Sequence, residues 1–113
     1  MIELPWPPKE LSPNARVHWT KKAKAAKAYR AECYMLAKAA GVKVPPGQRV
    51  ALMIEFIPPD RRARDDDNCL ASFKAGRDGI ADALGVDDRR FVTSLWLADE
   101  PVYGGAVRVT IGG

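Results

Sequence analysis

Histidine and cysteine are nearly missing from this chain, which holds one His and two Cys in 113 residues. Cys33 and Cys69 lack the CxxC spacing of a zinc site and are too few for a disulfide framework, so both read as buried or idle thiols. Long apolar runs are also lacking; none approaches the roughly 20 residues of a membrane span. The segment Met1-Ile2-Glu3-Leu4-Pro5 has neither the basic nor the apolar part of a signal peptide, so the expectation is a cytoplasmic protein with no membrane partner. Charge itself is not scarce. At 28% charged and 47% hydrophobic residues the chain has the balance of a folded protein, and its length fits one domain, 1–113, around a single core.

The charge is unevenly distributed. Residues 1–64 hold 13 Lys and Arg against 5 acids, net +8, whereas residues 65–113 hold 5 against 9, net −4. A basic half of this kind suits a polyanion, because lysines and arginines that displace counterions supply the sequence-independent part of nucleic-acid affinity. Surface solubility is the simpler explanation of the same excess.

Periodicity predicts a small mixed fold. Ile2 to Trp6 form a short strand stopped by prolines, and an irregular connection runs through Leu11-Ser12-Pro13-Asn14. His18 to Ala40 form a long amphipathic helix with Tyr29, Cys33, Leu36 and Ala40 on one stripe, and His18 is a helix-start or loop residue. Arg49 to Ile57 form a strand buried largely on both faces and central in the sheet. A second helix runs from about Asp66 to Leu84, capped by Asp66 or Asp67, with Leu70, Phe73, Ile80 and Leu84 facing the sheet. Phe91 to Ala98 and Ala106 to Ile111 form a terminal hairpin around Gly104-Gly105. The expectation is therefore an α/β (α+β) domain of order β-α-β-α-β-β, with a mixed sheet and two helices.

At the start of the second helix lies Arg61-Arg62-Ala63-Arg64-Asp65-Asp66-Asp67-Asn68. Three adjacent carboxylates repel one another, so a fold that holds Asp65 and Asp67 close gains most when a divalent cation neutralises them. Magnesium suits them: it takes hard oxygen ligands, usually one or two carboxylates with phosphate oxygens and water. A solvated acidic turn that caps a helix explains the same run without a metal. Further along the helix, Lys74 and Asp78 stand four residues apart on the Asp67 stripe, which equally describes a surface ion pair.

Taken together, Leu4-Pro5-Trp6-Pro7-Pro8, Pro59-Asp60-Arg61-Arg62, Asp65-x-Asp67-Asn68 and Asp87-Asp88 resemble the RusA-type endodeoxyribonucleases, a family of Holliday junction resolvases common in prophages. The resemblance spans nearly the whole chain. It implies a RusA-like fold and a magnesium-dependent nuclease, with manganese as a possible substitute. Asp65, Asp67 and Asp88 would be its catalytic, metal-binding carboxylates, with Asp87 an alternative to Asp88. Lys74 would correspond to the family's essential lysine, although that lysine follows the motif's Asn by three residues, where this chain has Ala71. The implied partners are four-way junction DNA and a second copy of the chain, a two-fold dimer permitting paired nicks. Arg61, Arg62, Arg64 and Asn68 would contact DNA at the site, with Lys21, Lys22, Lys24 and Lys27 extending the basic surface. Two other readings stay open: a nucleic-acid-binding protein without catalysis, and a nuclease for other branched DNA.

Overall fold

The computed structural model describes residues 1–112; Gly113 lies outside the described residues. The elements are β1 (Ile2–Leu4), α1 (Trp19–Ala39), β2 (Val50–Ile57), α2 (Asp66–Ser72), α3 (Lys74–Leu84), β3 (Phe91–Leu97) and β4 (Ala106–Gly112), with 3-10 turns at Lys9–Leu11 and Asp88–Arg90. They make a small α+β fold with a four-stranded mixed sheet. None of its described helices is long and apolar enough to cross a membrane.

The strand order is β1-β4-β2-β3, with β2 inside the sheet as its apolar sequence predicts. The expected terminal hairpin does not form. Instead β3 pairs parallel to β2, Val50 opposite Phe91 and Phe56 opposite Leu97, while β4 lies antiparallel to β2 on its other flank. The cause is topological: β2, α2, α3 and β3 form a crossover unit, which returns the chain parallel beside β2, and β4 takes the remaining flank. β3 is left as an edge strand.

Burial along β2 corrects a second expectation. Val50, Leu52, Ile54 and Phe56 are fully buried against the helices, but Ala51, Met53 and Glu55 on the opposite face are only half-buried. The helices cover one face of the sheet, so an apolar sequence on both faces of β2 does not bury both.

The predicted second helix is two helices, which makes three α-helices among the described residues. Phe73 breaks it, with φ −91° and ψ 1°, and its N–H is shared between the carbonyls of Cys69 and Leu70. The break lets the Phe73 ring pack edge-on against both Phe56 and Tyr29, at centroid distances of 5.8 and 6.2 Å. α1 contributes Tyr29, Cys33 and Ala37 to the core, steps of four that follow one ridge; Leu36 is left exposed and Ala40 caps the helix end. His18 caps the other end, its Nδ1 accepting from the Thr20 N–H. β1 ends at Leu4, short of the expected Trp6, and the Pro5 carbonyl that follows accepts a 2.6 Å bond from the Tyr29 hydroxyl. Trp6 turns edge-on to Phe56.

Candidate functional site

Beyond β2, Pro58 and Pro59 end the ladder, and the loop that follows is built around one carboxylate. Asp60 accepts from the Arg62 backbone N–H and guanidinium and pairs with Arg64 at 2.9 Å. Arg64, then Arg62, hold the Asp60 carboxyl well below the usual carboxylate range. Arg64 also donates to the carbonyls of Asp60 and Arg62 and lies over the Trp6 ring at 5.5 Å. With its side chain 14% exposed, Arg64 is a strut that joins the loop to the N-terminal segment. Arg61, paired with Glu100 at 2.7 Å, and Arg62 are in contrast open to solvent. Exposed pairs of this kind contribute little to stability.

The three acids follow, and the cap falls one residue earlier than expected. Asp65 is the residue before the first helical turn, and its Oδ1 accepts the Asp67 N–H at 2.8 Å. Asp66 and Asp67 occupy the first turn, where the helix dipole favours acids. A cleft of about 540 Å³ opens beside them. Asp65, Asn68 and Ser72 line one wall; Trp6, Ser12 and Asn14 line the other. Asp67 is exposed at the same helix end, outside the cleft wall.

Asp88 is not brought to this place. It lies in the turn before β3, where Arg77 reaches its carboxylate at 3.4 Å and its carbonyl at 3.2 Å. Because β2 and β3 are parallel, the turn before β3 is beside the start of β2, whereas Asp65 follows the end of β2. The two lie towards opposite ends of the sheet. Among the described residues no group of three or more His, Cys, Asp or Glu side chains is placed to hold a metal ion. Asp65, with one carboxylate oxygen used in capping, and Asp67, with no side-chain partner among the described residues, fit the one or two carboxylates magnesium usually takes. A three-carboxylate set within one chain is not met.

No family model matches the chain. An alignment of 115 residues at 52% identity, covering 99% of this chain and 75% of the other, joins it to an uncharacterized protein of Xylella fastidiosa (strain Temecula1 / ATCC 700964). The chain belongs to that protein's family.

The remaining expected site residues divide by location. Asn68 lines the cleft, but Lys74 faces a separate groove between α1 and α3, where it pairs with Asp78 at 3.7 Å. Lys21, Lys22, Lys24 and Lys27 are all exposed on α1. Asp87 caps the turn before β3 and is engaged by Arg89, which holds its carboxyl well below the usual range. Arg77, which the apolar stripe of the helix does not explain, also donates to Thr93 Oγ1 and covers the Phe91 ring at 5.2 Å. Sequence reasoning missed Ser12 and Asn14 as cleft residues. The signal available was the polar content of the Leu11-Ser12-Pro13-Asn14 connection, read there only as irregular.

Proposed function

We propose that the protein is a magnesium-dependent, structure-selective DNA endonuclease that nicks Holliday junctions, as its resemblance to RusA-type resolvases implies. The observation that carries this reading is the cleft itself: Asp65 and Asn68 on its wall, Asp67 at the same helix end, and the arginine loop alongside. Asp65 and Asp67 would hold magnesium, which when bound supplies Lewis-acid activation of water and charge neutralisation at the phosphodiester. Asn68 can donate its amide N–H to a phosphate oxygen, and Arg61 and Arg62 can exchange their weak surface pairs for flanking phosphates. Arg64 would position the loop rather than grip DNA.

The placement of Asp88 favours a two-fold dimer as the working form. β3 is an edge strand of sequence Phe-Val-Thr-Ser-Leu-Trp-Leu, without charge or proline, and such edges readily pair. Two copies paired along it about a two-fold axis would run their β3 strands antiparallel. The partner's Asp88 would then lie towards the sheet end that carries Asp65 and Asp67, supplying the third carboxylate.

The test is cleavage of a labelled synthetic four-way junction, a flap and a linear duplex in Mg²⁺ and in EDTA. Paired nicks confined to the junction, dependent on metal and lost in Asp67→Asn, are expected. Binding without cleavage in any metal would reduce the protein to a nucleic-acid-binding module, and preferred cutting of the flap would change the substrate. Mixing inactive Asp67→Asn and Asp88→Asn copies should restore nicking if each site draws on both chains. Continued inactivity of heterodimers verified by mass would return Asp88 to its own chain.

A further inference from the structure

Lys74 and the first turn of α1 leave a feature that the nuclease reading does not use. A second groove, of about 400 Å³, lies between α1 and the α2–α3 junction. Trp19, Lys22, Ala23 and Ala26, at steps of three, four and seven on one face of α1, come from one side; Ala71 at the end of α2 and Lys74, Ala75 and Asp78 of α3 come from the other. The alanines make a smooth apolar floor. Trp19 stands at its end with 73% of its surface exposed, an unusual position for the largest apolar side chain. It is the first helical residue of α1, and the capping His18 ring lies against it at 5.6 Å.

Of the three charged residues that line it, Lys22 and Lys74 are cationic and Asp78 is acidic. Lys22 has no ion-pair partner among the described residues, and Lys74, 73% exposed, holds Asp78 only at 3.7 Å. The net positive lining suits an occupant that combines a flat apolar body with a negative charge at its edge. We propose that this groove is a subsite for an unpaired nucleotide, its base stacked on Trp19 over the alanine floor and its phosphate held by Lys22 and Lys74. The inference rests on the nucleic-acid reading of the adjoining cleft. Ser72 lines both spaces, so a strand whose phosphate lies at Asp65 and Asn68 can pass directly into the groove. On this reading Lys74 is a phosphate-binding and positioning residue.

The experiment is fluorescence anisotropy in EDTA, which reads binding without cleavage. The probes are labelled eight-nucleotide oligothymidine and a blunt duplex. Trp19→Ala should weaken oligothymidine binding about tenfold while changing duplex binding less than twofold, and Trp19→Phe should retain most of the affinity. Lys22→Ala with Lys74→Ala should lower the salt dependence of oligothymidine binding. Unchanged oligothymidine affinity in Trp19→Ala would overturn the subsite, as would an equal loss on both probes. So would wild-type protein that binds a polyglutamate peptide through Trp19 and ignores oligothymidine. The two proposals fail separately: metal-dependent nicking with no effect of Trp19→Ala removes only the subsite, and Trp19-dependent binding without nicking removes only the nuclease.

Discussion

Asp65 is asked to do two things at once, and substitutions can part them. Its side chain caps α2 through the Asp67 N–H, and its remaining oxygen is available to a cation. Asparagine caps about as well as aspartate but is a poor metal ligand. Asp65→Asn should therefore keep its urea midpoint near wild type while losing metal-dependent nicking. Asp65→Ala should lose both nicking and about 1 kcal/mol of stability. If Asp65→Asn retained full cleavage, capping alone would account for the residue. The run of acids made this site visible in the sequence; which acid caps was decided by where helical dihedrals begin. Both thiols are buried, as expected, and burial pushes Cys33 up to about 12 and also raises Cys69, which favours the protonated form.

Among the elements, α1 and α3 have the closest relationship, and glycine permits it. A Cβ on Gly79 would lie 2.4 Å from the Arg30 carbonyl oxygen and 3.1 Å from the Cys33 side chain. Backbone cannot yield as a flexible side chain can, so Gly79→Ala should cost about 1–3 kcal/mol or more, measured as a lowered denaturant midpoint. Gly85→Ala meets no crowding but strains a left-handed φ of 68°, and offers a comparison in which packing is not involved. Helical periodicity placed Leu70, Phe73, Ile80 and Leu84, of which the last three are buried and Leu70 only partly so, on the stripe facing the sheet. It could not show the break at Phe73, because counting 100° per residue assumes an unbroken helix, and the break answers the packing of one ring between Phe56 and Tyr29.

For the molecule as a whole, arginine pairs should add a modest, solvent-screened share to the response to acid. Arg30 spans α1 to Asp82 on α3 with a two-pronged bond of 2.7 and 2.9 Å and lowers the Asp82 carboxyl; Asp60 and Asp87 are lowered by their own arginines. A carboxyl depressed in the folded state contributes stability that is complete above its unfolded value, about 3.9, and is lost as pH falls through the folded value. Thermal stability should accordingly hold from neutral pH down to about pH 5 and decline below it. Asp82→Asn should make the acid limb shallower at a cost of at most about 1 kcal/mol at pH 7, since the pair is partly exposed. An acid limb identical to wild type would show that Asp82 does not contribute.

By itself the sequence determined the α+β class, the central place of β2, the long first helix with His18 at its start, and the acidic helix entry beside an arginine loop. These follow from local chemistry: periodicity, proline and glycine stops, and the preference of acids for helix N-termini. Tertiary structure alone decided that β3 lies parallel to β2 and forms an edge, that one face of the sheet stays open, and that Arg64 is a strut while Arg61 and Arg62 hold their pairs at the solvent-exposed surface. It also set Asp88 towards the far end of the sheet from Asp65 and turned Lys74 into a groove of its own. Strand order and helix breaks depend on which distant surfaces exclude water together, and spacing along a chain carries no record of that.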